Sequence, residues 1–118
     1  MNSYHVYFNG APGVSTEDLA GQVRDFMNHQ LSANHAIGYR LIEISDKGSF
    51  KEMPGFHLIV DYATELDLKT AFENMKGTYL EEPHRSLMTM VSGMRVAFSA
   101  DLLEARLPRI IGQGPPSR

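Results

Sequence analysis

The chain has 118 residues and no cysteine. That is enough for one domain with a single core, and it excludes disulfides, zinc ribbons, iron–sulfur clusters and thiol nucleophiles. The net charge is -3, no Lys/Arg run occurs, and no apolar stretch reaches the length of a membrane span, so neither a nucleic-acid nor a membrane partner is expected. The start, MNSYHVYF, lacks a basic region followed by a long apolar core, which leaves a soluble cytoplasmic protein as the expectation.

Residues Tyr4 to Asn9 alternate, with Tyr4, Val6 and Phe8 on one side and His5, Tyr7 and Asn9 on the other. This is the period of a half-buried strand. GAPG interrupts it, and Ser15 then has the position of a helix N-cap, with Asp18 where a carboxylate meets free N–H groups. Val14 and Leu19 have the spacing of a hydrophobic staple. Leu19, Val23, Phe26, Met27 and Leu31 form the apolar stripe of a helix that ends near Ser32 to Asn34.

AIGYRLIEIS, Ala36 to Ser45, reads as a second strand, and DKGSFKEMPG as the connection of a long hairpin. The third strand, Phe56 to Tyr62, sets Phe56, Leu58, Val60 and Tyr62 against His57, Ile59 and Asp61. Thr64 caps a second helix with the stripe Leu68, Ala71, Phe72 and Met75, which Gly77 stops. EEPHRSLMTMVS predicts a short helix starting at Pro83 and broken by Gly93. MRVAFSA is a fourth alternating strand, with Met94, Val96 and Phe98 against Arg95, Ala97 and Ser99. DLLEARLPRII is apolar enough to dock on a neighbouring surface. Residues 1–103 form the predicted domain and 104–118 a partly disordered tail.

Strand, helix, strand, strand, helix, strand is the order of a ferredoxin-like α+β fold, a four-stranded antiparallel sheet with its helices on one face. The extra short helix precedes the last strand. One sheet face feeds the core. The other carries His5, Tyr7, Asn9, His57, Ile59, Asp61, Arg95, Ala97 and Ser99, and the second strand adds Tyr39, Leu41 and Glu43. Maximal overlap of the central strands sets His5 opposite Asp61 and Asn9 opposite His57, with facing Cβ atoms about 4.5–5.5 Å apart. A register shifted by four pairs His5 with His57 instead.

This order, together with IGYRLIEI, GFHLIVDYATELDLKTAFENM and EEPHRSL, resembles the dimeric α/β-barrel superfamily and is most similar to a small uncharacterised bacterial family within it. That superfamily includes antibiotic-biosynthesis monooxygenase-like proteins, stress-responsive barrel proteins, muconolactone isomerases and heme-degrading monooxygenases. The resemblance implies a homodimer whose sheets pack face to face through their open sides into an eight-stranded barrel. It also implies room for a small, often aromatic, molecule, either between helices and sheet or inside the barrel. The Asn–Trp–His set of the monooxygenases has no counterpart, because the chain has no tryptophan.

Two functions follow. The first is a dimer that binds a small molecule in a cleft lined by the polar sheet face, through Tyr7, Asn9, His57, Tyr39 and His84. The second is a cofactor-independent monooxygenase or isomerase. In it His5 acts as a base oriented by Asp61, and Arg95 stabilises developing negative charge. No cofactor or metal is expected. A 2-His-1-carboxylate set of His5, His57 and Asp61 would need help from a third element to converge. Glu81 and His84, at i, i+3, fit a cap or a surface ion pair with Arg85 better than a metal site, and His84 is alternatively placed to meet a ligand in a cleft under the short helix. NGAPGVST lacks the ending of a phosphate loop and reads as a plain turn.

Overall fold

The computed structural model describes residues 1–105. Its elements in chain order are β1 (Asn2–Gly10), α1 (Thr16–Ala33), β2 (Gly38–Glu43), β3 (Phe56–Tyr62), α2 (Glu65–Thr78), α3 (His84–Met90) and β4 (Val91–Ala100). The strands form one sheet in the order β2-β3-β1-β4, with every neighbouring pair antiparallel. This is the ferredoxin-like arrangement, with the short helix α3 inserted before the last strand. The predicted tail lies outside the described residues from 106 onward, as does most of DLLEARLPRII. Among the described residues no helix is long and apolar enough to cross a membrane.

Local chemistry sets the helix starts. Ser15 Oγ accepts a hydrogen bond from the Asp18 N–H at 3.0 Å, and Thr64 Oγ1 accepts one from the Asp67 N–H at 3.0 Å. Each satisfies an N–H that the first helical turn leaves without a partner. The α1 stripe of Leu19, Val23, Phe26 and Met27 and the α2 stripe of Leu68, Ala71 and Met75 are buried. They close on Tyr4, Phe8, Leu58, Val60 and Tyr62 from the two central strands to make the core.

The register of the central strands differs from maximal overlap by two residues. Ser3 stands opposite Asp61, His5 opposite Ile59 and Tyr7 opposite His57. The second strand also turns the other way from its expected parity. Tyr39 pairs with Val60 and Leu41 with Leu58, so both pack against the core, while Arg40 and Ile42 share the open face with Ile59 and His57. Directly paired strand residues lie on the same side of the sheet, which makes these pairings decisive.

Gly93 lies inside β4 and does not end a helix. Between Tyr7↔Arg95 and Asn9↔Ser92 the β4 chain advances one residue more than β1, so Phe8 faces two residues in a β-bulge. Gly93 sits there at φ +62, the left-handed conformation that glycine adopts at least cost. Met94, Val96 and Phe98 are on the helix side as their alternation requires. They are nevertheless exposed, at 45%, 40% and 56%, because β4 is the edge strand and the helices cover the centre of the sheet.

Candidate functional site

The open face of the sheet carries a connected row of polar side chains. Ser3, buried beside Asp61, donates its hydroxyl proton to Asp61 Oδ1 at 2.5 Å. That hydrogen bond to a carboxylate occupies the group expected to orient His5, and the observed register puts Asp61 one pair further along. His5 and Asp61 are therefore not partners. His5 reaches diagonally in both directions instead: its Nδ1 stands 2.9 Å from His57 Nε2, and its Nε2 stands 2.7 Å from Ser99 Oγ. Tyr7 stacks on the His57 ring at 4.2 Å and 15°.

The geometry of the two imidazoles decides what joins them. Their centroids are 5.1 Å apart with the ring planes at 27°. For nitrogens 2.9 Å apart, that is close to the widest separation the rings can have, so the nitrogens lie between the rings and point at one another. One must be an N–H donor and the other a bare acceptor. A single metal ion bound by both would need the two lone pairs to converge on a point off that line, which this arrangement does not offer. Among the described residues no group of three His, Asp or Glu side chains is placed to hold a metal.

His57 is pushed below the ordinary imidazole pKa by burial first, then by the neighbouring His5 and by Arg40. It is therefore neutral near pH 7. Arg95 lies opposite Tyr7 on the same face. Asn9 is taken up by the fold, since its Oδ1 accepts the Gly55 N–H at 2.9 Å. Tyr39, being on the helix side, does not reach this face. Arg40 does, and the sequence reading misses it. Tyr39 and Leu41 are apolar on one parity, Ile42 and Ile44 on the other, so alternation gives no choice between them. Arg40 itself is the available signal, as a charge that the core side does not accommodate.

The second region lies on the opposite side of the sheet. A cavity of about 410 Å³ opens between the helices and the β1–β4 half of the sheet, with Val23, Phe26, Phe72, Met75, Leu87 and Val96 in its wall. His84, at the start of α3, lines it and packs on the Phe26 ring at 4.8 Å. Its Nδ1 is sealed from solvent with no hydrogen-bond partner among the described residues, and burial lowers its pKa. An unpaired lone pair costs less than an unpaired N–H, so the ring proton belongs on Nε2. The Glu81–His84 pairing does not form. Glu82 takes the polar contacts of this turn, accepting from the Ser86 N–H at 2.9 Å and the Ser86 hydroxyl at 2.7 Å.

Of the predicted site residues, the fold thus brings together His5, His57 and Tyr7, with Arg95 alongside. It separates Asp61 from His5, sets Tyr39 under the helices, ties Asn9 to the hairpin and puts His84 in a cavity on the far side. The cleft sits on the apolar side of the sheet, where helices cover it, and not on the polar face.

Solved structures of the same shape exist at low identity. An Arabidopsis thaliana protein, At3g17210, superposes with a TM-score of 0.65 at 8% identity, over 90% of this chain and 100% of that one. A dimeric ferredoxin-like protein from an uncultured marine organism gives 0.57 at 10%, covering 88% and 96%. The hydroxynitrile lyase of Passiflora edulis gives 0.56 at 12%, covering 91% and 97%. Identities this low show the fold alone. No curated protein matches the sequence. A family profile does match, over residues 1–104, and the chain belongs to that family, described as a family of unknown function, DUF6614.

Proposed function

We propose that this chain forms a homodimer through the open face of its sheet and binds a small, largely apolar molecule in the cavity beneath its helices, with His84 as the polar anchor. The carrying observation is the cavity itself: about 410 Å³, walled by aliphatic and aromatic side chains, with the His84 imidazole in its lining. Ligand pockets have this size and this balance of apolar wall and few polar groups. A ligand with one acceptor, such as a phenol or a small aromatic ketone, fits a neutral imidazole that presents Nε2–H. Structural neighbours named as dimeric support the homodimer. A monooxygenase or isomerase built on a His5–Asp61 base lacks its orienting contact, because Ser3 holds Asp61.

Titration with 2-naphthol, followed by its fluorescence, tests the binding. Saturable binding of one molecule per chain is expected. His84→Leu should weaken 2-naphthol several-fold, the value of about 1 kcal/mol for one hydrogen bond, and leave naphthalene affinity nearly unchanged. Equal loss for both compounds, or no saturation in the native protein, would sink the proposal.

A further inference from the structure

We propose that Ser99, His5 and His57 form an acyl-transfer site on the open sheet face, with Ser99 as nucleophile, His5 as general base and His57 as the residue that positions it. The signature of an activated serine is a hydroxyl within hydrogen-bond reach of a base whose other nitrogen is held by a third group. Here the base reaches Ser99 Oγ at 2.7 Å through Nε2 and His57 Nε2 at 2.9 Å through Nδ1. The three side chains come from β4, β1 and β3, so rigid strands hold the row. Tyr7, stacked on His57, fixes the far end.

The linear His5–His57 contact dictates the tautomers. For Ser99 to donate its proton to His5 Nε2, the His5 proton must sit on Nδ1, where it is donated to His57 Nε2. His57 then carries its own proton on Nδ1. Burial, His5 and Arg40 keep His57 neutral, so it remains an acceptor when His5 becomes the imidazolium. The other charged and titratable groups on this face are Asp61, tied to Ser3, and Arg95 and Tyr7 one pair further along β4 and β1.

The step is an acyl transfer from an ester. Ser99 Oγ bonds to the carbonyl carbon while its proton passes to His5 Nε2, and the carbonyl electron pair moves onto oxygen. Collapse restores the carbonyl and breaks the bond to the leaving oxygen, which takes the proton from His5. Water repeats the sequence against the acyl-serine, with His5 again taking and returning the proton, and releases the carboxylic acid. An eight-stranded barrel has an interior that holds side chains or one small ligand. The substrate class is accordingly a short-chain ester. That size limit rests on the proposed dimer, whereas the relay lies within one chain.

The native protein incubated with p-nitrophenyl acetate near pH 7.5, and followed by intact mass and peptide mapping, gives the test. One acetyl group per chain, on Ser99, is expected, and Ser99→Ala removes it. His5→Ala slows acylation by about 100-fold, the low end for general-base assistance. His57→Ala slows it less, and His57→Gln, whose amide oxygen can accept the Nδ1–H, recovers part of the rate. Nitrogen-15 spectra of the imidazoles should show the His5 proton on Nδ1 in the native protein and its redistribution in His57→Ala, a change that mere loss of packing does not produce. Labelling of Ser99→Ala at the native rate, acetyl groups mapped elsewhere, or a folded His5→Ala that reacts as fast as native would overturn the site. Absent labelling with 2-naphthol binding intact would remove the relay and leave the cavity reading standing.

Discussion

His57 and His84 sit on opposite faces of one sheet, yet both have lowered pKa values, and burial is the first cause in each. In the unfolded chain both take up a proton near the ordinary value of 6.5; in the folded chain they do so only at lower pH. Below about 6.5 the unfolded state therefore binds more protons than the folded state. The stability these two groups contribute is complete above that pH and is lost as pH falls through the folded values. Urea unfolding at pH 7.5 and pH 5.5 reads this directly. The midpoint of the native protein should fall between the two, and that of His84→Leu should fall less, because one of the two buried imidazoles is gone. An identical fall in both proteins would mean that the wall of the cavity does not penalise the imidazolium. Ser99 carries a different lesson at this scale: residue type alone does not mark it, and it matters only through the neighbours that the sheet gives it.

The strands set those neighbours, and β4 shows how. Its bulge at Gly93 shifts the partner of β1 by one residue between Tyr7 and Asn9, whereas from Asn2 to Tyr7 the pairing is regular and sets Ser99 opposite Ser3, diagonal to His5. A Cβ at Gly93 would meet only Asn9 Nδ2, at 3.8 Å, but φ is +62. Gly93→Ala should thus cost about 1 kcal/mol through backbone strain and not through a clash, and Gly93→Asn less, since asparagine tolerates that conformation. Equal stability of the alanine variant in urea would mean that the bulge relaxes. The elements themselves were readable because their signals are local: Ser15 and Thr64 cap where a side-chain oxygen stands three residues before an N–H, and alternation marks the strands. Register was not, for a physical reason. A slip of one residue turns every side chain to the wrong face, but a slip of two leaves both faces unchanged. The alternation of Tyr4–Asn9 and Phe56–Tyr62 is equally satisfied whether His5 opposes Asp61 or Ile59. Only the detailed fit of Ser3, Asp61 and the loops separates these registers, and the candidate site is defined by that difference.

At the scale of the whole chain, the sheet is covered on one side only. Ile42 and Ile59 lie among the polar groups of the open face, while Met94, Val96 and Phe98 line an exposed edge that runs on into Leu102 and Leu103, 94% and 93% exposed. Single chains rarely leave contiguous apolar surface of this kind to water, and edge strands without charge or cover invite pairing. In the proposed dimer, a second copy meeting the first across the open face hides Ile42 and Ile59 and encloses the histidine row. The expected mass in sedimentation is twice the chain's 13.2 kDa. Ile59, opposite His5 and Arg40 on the two flanking strands, is the place to break the pair. In a two-fold interface each substitution enters twice, and two lysines driven into a face that already holds Arg40 and Arg95 must be desolvated against like charge. Ile59→Lys should weaken the dimer by about 100-fold or more, equivalent to about 2.7 kcal/mol, and sediment as one chain at micromolar concentration. Leu66→Lys, on the solvent side of α2 where Leu66 is 72% exposed, should remain paired. A native protein that runs at a single-chain mass, or an Ile59→Lys protein that stays paired, would move the interface away from this face and leave the Ser99–His5–His57 row open to solvent.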